Sequence, residues 1–395
     1  MNKKVISILS VFIYILLELS YVCNPILNDI TRHLISFPFL ILAILTSTGK
    51  LSLYNYKLSI LGGIIYFILF NFLNRPLSVF VLINIFFITS LLSVAYRRIN
   101  VKYGKSFIYI GIFFYLLNIM VSYFEYKNNI NLFYFDMNEK WNVANAYFRF
   151  RASGIWGHPL YTALIHGACM IFILMSSINK KMKFILWFIG LFALFFYDAR
   201  AATIMTVLVS FAYLYLDGDL NKKNIISILI LTIVIILSLN LISQSELGGK
   251  LFDVQTKAFN DESSNARIVA FQIFFDLDMQ KLLLGVADQF DYVQKHYNVI
   301  CAENAFIGLT LVCGFPLALL IFTLQIKNLW NIMKSKKIKY RYLIIAYLFA
   351  TGLFNQALTT PNVWITFMMF YILFCFNSEN LIKNENRHNN IPRIR

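Results

Sequence analysis

The chain has 395 residues, of which 59% are hydrophobic and only 14% charged, and its mean hydropathy is +0.66. A soluble domain carries about 25% charged residues, so an ordinary water-soluble enzyme is excluded and a multi-spanning α-helical membrane protein is indicated. The net charge of +16 does not indicate nucleic acid, because the basic residues sit mostly in short loops between apolar runs.

Met1-Asn-Lys-Lys precedes an apolar run, 5–22, that reads as an uncleaved first helix, since no small-x-small cleavage site follows it. Glu18, near the outer end of this helix, is expected to make an interfacial or interhelical hydrogen bond. Further spans are predicted at 34–49, 58–73, 77–95, 106–123, 158–177, 183–197, 200–216, 224–242, 303–326, 341–357 and 361–377. The fold class is therefore all-α, a polytopic integral membrane protein of about twelve transmembrane helices. Residues 1–378 form the membrane domain, and 379–395 read as a disordered, basic cytoplasmic tail. The cysteines are scattered, with neither a disulfide framework nor metal-ligand spacing.

Charge sets the expected orientation. With the N-terminus inside, most of the 35 Lys and Arg residues fall on the inner side and most of the 19 acidic residues on the outer side. That satisfies the positive-inside rule and predicts N-in and C-in. Two outer segments, about 124–157 and 243–302, are long, and loops of that length are commonly functional. Residues 264–284 are expected to form an amphipathic helix on the outer membrane surface. Ile268, Phe271, Phe275 and Leu282 fall on one face, Arg267, Asp278 and Lys281 lie off it, and Ser263 and Ser264 are natural N-caps.

Arg75, Arg149, Arg151, Arg200 and Arg267 fall on the outer side in this topology. Arginines there imply an anionic ligand, and a planar guanidinium suits phosphate oxygens. Arg149-Phe-Arg-Ala-Ser-Gly-Ile-Trp-Gly-His-Pro-Leu-Tyr161 leads into a span. An extended backbone points Arg149 and Arg151 to one side, while Gly154 and Gly157 allow close approach of backbone to a ligand. The structural alternative is a re-entrant turn with arginines on lipid headgroups.

Arg200 sits in the tight turn Asp198-Ala-Arg-Ala-Ala202, where pairing with Asp198 is the alternative. Arg267 is placed in the first turn of the surface helix, whose free N–H groups favour an anion. Its alternative is a local pair with Asp261 or Glu262. Glu303-Asn304-Ala-Phe306 opens the tenth span, and a carboxylate at the membrane edge can act as a general base. His158 and His296 are further candidates for contact with substrate, and His166 reads as a buried interhelical bond. Asp276-Leu-Asp278 has the spacing of a metal–nucleotide acidic pair but reads as a solvated face.

The order of these segments carries a resemblance. Arg-x-Ser-Gly-x-x-Gly-His-Pro stands before a span, then an arginine turn joins two spans. A large outer loop follows with Ser-x-x-Arg opening a helix, then Gly285, an acid-Asn-x-Phe opening another span, and Gly314. This resembles the O-antigen polymerase (Wzy-type) and O-antigen ligase superfamily, which includes capsule polymerases, over roughly 145–320. The family's Arg-x10-Gly and Arg-x15-Gly signatures are not matched, since Thr162 and Leu283 stand where the glycines would be.

The resemblance implies a GT-C-like glycosyltransferase in the bacterial inner membrane, with its site on the periplasmic face. Undecaprenyl-diphosphate-linked oligosaccharides would be donor and acceptor, with no metal or other cofactor. A chain-length regulator and a flippase are the implied protein partners. Arg151, Arg200 and Arg267 carry over as catalytic arginines, with Glu303 as base and Arg149, His158, Asn304 and His296 as substrate-binding residues. Trp141, Tyr147 and Trp156 are expected to stack on sugar faces or form an interfacial belt. Ligases usually carry a histidine where this chain has Glu303, which favours polymerase. The alternatives are an O-antigen ligase and, from another class, a lipid-linked oligosaccharide flippase.

Overall fold

The computed structural model describes residues 3–18, 29–46, 64, 104–133, 150–217, 262–286, 288–299, 302–333, 336–353, 358 and 360–376. The expected spans 77–95 and 224–242, all of 58–73 except Ile64, the tail, and Arg75, Trp141, Tyr147 and Arg149 lie outside the described residues. Among those described, the regular structure is helical and no strand occurs.

The first two helices, α1 (Lys3–Glu18) and α2 (Asp29–Thr46), run antiparallel. Ser7 Oγ donates to Ala43 O at 3.1 Å near one end of the pair. Further along, Ser36 Oγ donates to the buried Glu18 carboxylate, the interhelical bond expected there. Next come α3 (Gly104–Asn128), α4 (Pro159–Met175), α5 (Lys180–Phe196) and α6 (Arg200–Asp217). A single turn at Gly154–Trp156 precedes α4. Ser106–Asn128 within α3 is long and apolar enough to cross a membrane.

Every residue of α4 from Thr162 to Met175 is buried, as befits a helix apolar all round. It packs against α5, α6 and two later helices, α12 (Ile338–Gly352) and α13 (Pro361–Tyr371). Small residues allow these close crossings. A Cβ on Gly167 would meet Thr206 and Tyr347, and one on Gly190 would meet the Tyr115 hydroxyl. At one end of this bundle Lys183 Nζ donates to Leu174 O at 2.9 Å, and Lys339 Nζ donates to Leu216 O. These amines cap the C-termini of α4 and α6, where orphan carbonyls need donors.

The segment from Glu262 onward departs from expectation. The predicted surface helix 264–284 is two helices, α7 (Glu262–Asp276) and α8 (Met279–Leu284), followed by α9 (Gln289–Tyr297). Asp278 breaks the run because its carboxylate accepts the Lys281 N–H at 2.8 Å and starts α8 afresh. The face formed by Ile268, Phe271 and Phe275 is exposed, whereas Ala270, Ile273 and Leu277 are buried. The predicted span 303–326 is likewise two helices, α10 (Ala305–Cys313) and α11 (Phe315–Ile332). Only α11 is long and apolar enough to cross a membrane.

The cause is Gly314, whose φ of +83° turns the chain in a region costly for residues with a Cβ. Pro316 then lies in the first turn of α11, where its missing N–H costs nothing. The Phe306 ring touches both Phe315 (5.8 Å) and Phe322 (5.4 Å), so α10 folds back along α11. Along α10, Ala305, Leu309 and Cys313 enter the main core, while Ile307 and Leu311 join Ala270, Ile273, Leu277, Val286 and Val293 in a second one. Helices α7 to α9 thus form a helical cap packed on a folded-back α10.

Candidate active site

The segment before α4 gets its shape from α3. Ser153 is right-handed (φ −92°, ψ −22°), and Gly154 is left-handed with φ +58°. Successive N–H groups in such a pair converge into a nest that holds an anion. The anion is the protein's own. Glu125 Oε2 accepts from Ser153 N (2.8 Å) and Gly154 N (2.7 Å). Its Oε1 accepts from Ser153 Oγ (3.0 Å) and Leu132 N (2.8 Å). Four donors meet the roughly four lone-pair directions of a carboxylate, and Glu125 is fully buried.

Two turns further in, Asn118 Oδ1 accepts from Ile155 N at 3.1 Å and its Nδ2 donates to the Tyr197 hydroxyl at 2.7 Å. The Tyr197 and Ser122 hydroxyls share a 3.0 Å bond. His166 joins as expected of a buried interhelical residue, with Nε2 3.1 Å from Gly190 O. A carbonyl only accepts, so Nε2 carries the proton and Nδ1 faces the Asn118 amide at 3.4 Å.

Held this way, the segment lies across the turn between α5 and α6. Ala152 N donates to Phe196 O at 2.9 Å. Arg151 Nη2 donates to Asp198 O at 3.1 Å. Arg200 opens α6 two residues later, so the backbones of the first two expected arginines share one corner. Arg267 is in the second turn of α7, because that helix starts at Glu262 and not at 264. It is therefore set back from the free N–H groups of the helix start.

His158 caps the start of α4, where Thr162 N donates to His158 O at 2.8 Å. Its imidazole is buried and packs tilted against the Tyr161 ring, with centroids 4.3 Å apart. Burial, and secondarily the neighbouring Arg151 charge, lowers its pKa to about 4, so the ring is neutral at pH 7.

Glu303 immediately precedes the α10 cap and is half-buried. It is therefore outside the helix and not an acid of its first turn. Asn304, expected to bind substrate, is buried and accepts the N–H groups of Phe306 (3.0 Å) and Ile307 (3.1 Å). Its side-chain oxygen is engaged in an N-cap. Ala305 N donates to Leu353 O at 2.9 Å, fastening this start to the end of α12. Beyond α12, Gln325 Nε2 donates to Leu358 O at 3.2 Å, and the Thr360 and Tyr161 hydroxyls bond at 3.2 Å. These bonds set the start of α10, with Glu303 just before it, at the same end of the bundle as the start of α4, with His158 and Arg151 just before it.

Other expected residues fall elsewhere. His296 is exposed on the cap, with its ring stacked on Tyr292 and Nδ1 2.9 Å from Tyr292 O. Trp156 is buried, with its ring edge-on to Phe370. The Gly154 N–H donates to Glu125 at 2.7 Å. Asp276 accepts from Tyr297 at 3.0 Å, and Asp278 pairs with Lys281 at 2.7 Å on an exposed face, so the acidic pair is solvated as read.

Sequence reasoning placed Glu125 in a loop and passed over Asn118, Ser122 and Tyr197. The signal was present. Asn118, Ser122 and Glu125 repeat at i, i+4 and i+7 on one face of an apolar helix, and polar residues in a span face the protein interior.

No protein-family profile, no curated protein and no solved structure matches this chain. The class defined by the structure is a helical protein with two described helices able to cross a membrane by length and composition.

Proposed function

We propose that this chain is a polysaccharide polymerase that joins undecaprenyl-diphosphate-linked oligosaccharide repeats. In this reading it is a GT-C-like protein of about twelve spans in the bacterial inner membrane, N-in and C-in, with its site facing the periplasm. The observation that supports it most is the junction at one end of the bundle. There the Arg151 segment docks on the turn that leads to Arg200, and the start of α10, next to Glu303, is fastened at the same end of the bundle.

The reaction is an inverting glycosyl transfer. A sugar hydroxyl of one lipid-linked repeat attacks the anomeric carbon of the other chain, the glycosidic C–O bond to phosphate breaks, and undecaprenyl diphosphate leaves. Glu303 takes the hydroxyl proton. Negative charge grows on the leaving diphosphate, so fixed guanidinium donors from Arg151, Arg200, Arg267 and Arg149 lower the barrier most. Neutral His158 supplies a hydrogen bond without competing for the anion.

The test is deletion of the gene followed by gel analysis of surface polysaccharide, with complementation by wild type, Glu303→Gln and Arg267→Ala. The expected result is loss of the ladder with a single-repeat band retained, restored by wild type but by neither expressed variant. Loss of even the single repeat would favour a flippase or ligase instead, and an unchanged ladder would end the proposal.

A further inference from the structure

We propose that Glu125 is a positioning residue of this site, a buried internal anion that gives the Arg151–His158 segment its working shape. The role rests on the glycosyl-transfer reading above and adds to it a residue that touches no substrate.

The geometry carries the argument. Ser153 and Gly154 form a two-residue anion nest, and Glu125 fills it with bonds of 2.8 and 2.7 Å. The Ser153 hydroxyl adds a third bond at 3.0 Å. Nothing else on α3 approaches the nest in this way, because Asn118 serves Ile155 and Ser122 serves the Asn118 carbonyl at 2.7 Å. Thr162 Oγ1 closes the other side by donating to Ser153 O. A Cβ at Gly154 would strike Asn118, Ser122 and Thr162, so the segment has no room to relax in place. The residue just before the nest, Ala152, bonds to Phe196 O, and Arg151 reaches Asp198 O. Release of the nest therefore releases the backbone that aims Arg151.

The identity of the acid matters. Three of the four donors are backbone N–H groups, which cannot accept. Glutamine has the same shape, but whichever way its amide turned, its NH2 would face at least one backbone N–H that cannot accept from it. Aspartate keeps the charge and falls one methylene short.

The experiment uses the full chain in lipid nanodiscs: wild type, Glu125→Gln, Glu125→Asp and Arg151→Ala. Deuterium uptake of the segment 150–158 is measured, together with kcat and KM for transfer between undecaprenyl-diphosphate-linked repeats. Glu125→Gln is expected to speed exchange in that segment about tenfold or more while α4 and α5 stay protected. It should lower kcat nearly as far as Arg151→Ala with a smaller change in KM, and Glu125→Asp should recover part of both. Unchanged exchange, or faster exchange with wild-type kcat, overturns the role while leaving the polymerase reading intact. A wild-type protein that transfers no sugar removes that reading and the role with it.

Discussion

The rings of Phe306 and Phe322 lie 5.4 Å apart, although a continuous helix would separate their positions by about 24 Å. One contact thus shows that α10 is a short helix folded back on α11. The fold-back sets the start of α10, two residues after Glu303, against Leu353 at the end of α12, through the bond from Ala305 N to Leu353 O.

The turn at Gly314 should not accept a side chain. Its φ is +83°, and a Cβ there would strike the Leu283 backbone. With ψ 156° the residue sits in a region that essentially only glycine occupies, which costs roughly 1–3 kcal/mol in a residue with a Cβ, and overpacking adds roughly 1–3 kcal/mol. Gly314→Ala is expected to lower the melting temperature in detergent and to abolish the polysaccharide ladder. A variant that melts like wild type would show that the turn is not fixed.

The cap has two apolar faces that should respond in opposite ways. Ile273 is fully buried, while Phe275 is 79% exposed. Ile273→Asp buries an unpaired charge and should destabilise by about 3 kcal/mol or more. Phe275→Asp should stay within about 0.5 kcal/mol in detergent. If the exposed face of Ile268, Phe271 and Phe275 rests on the outer leaflet, as its apolar character suggests, then a tryptophan at position 275 will be quenched by brominated lipid. One at position 273 will not.

The sequence read well wherever an element was long and uniformly apolar. The limits expected for 183–197 and 200–216 differ by three residues or fewer from α5 and α6, because a run of that length has few alternatives in lipid. It read poorly where one residue's backbone freedom decided the path. Gly314 looks like any glycine in a span until its φ is known, and Asp278 looks like a solvated acid until it caps α8. The candidate site was legible only as an order of segments. That Arg151 lies beside Asp198 depends on α3, whose polar stripe of Asn118, Ser122 and Glu125 was hidden by the apolar residues between them.

Asn118 and Tyr197 should behave as one unit. Asn118→Leu leaves the Ile155 N–H without its 3.1 Å acceptor and the Tyr197 hydroxyl without its 2.7 Å donor. Each buried group so left costs about 1–3 kcal/mol. Tyr197→Phe removes one hydroxyl from the network and should cost about 1 kcal/mol. The double variant should fall short of the sum by about 0.5 kcal/mol or more, the mark of a shared network. Strict additivity in thermal unfolding would show that the two side chains act separately.

His158 gives the site a pH dependence whose sign is fixed by burial. Its pKa falls from 6.5 to about 4 because the ring is desolvated and Arg151 is near. Between those values the unfolded chain binds a proton that the folded protein refuses. Stability from this residue is therefore complete above pH 6.5, declines as pH drops below it, and is gone near pH 4. The loss is up to about 3 kcal/mol. His158→Gln keeps a polar side chain but cannot titrate, so the difference in melting temperature between wild type and variant should shrink or reverse as pH is lowered from 7 to 4.5. A constant difference across that range would mean that His158 takes up its proton in the folded protein as readily as in the unfolded chain, and so is charged there at pH 4.5. Arg151 would then share its corner with a second cation.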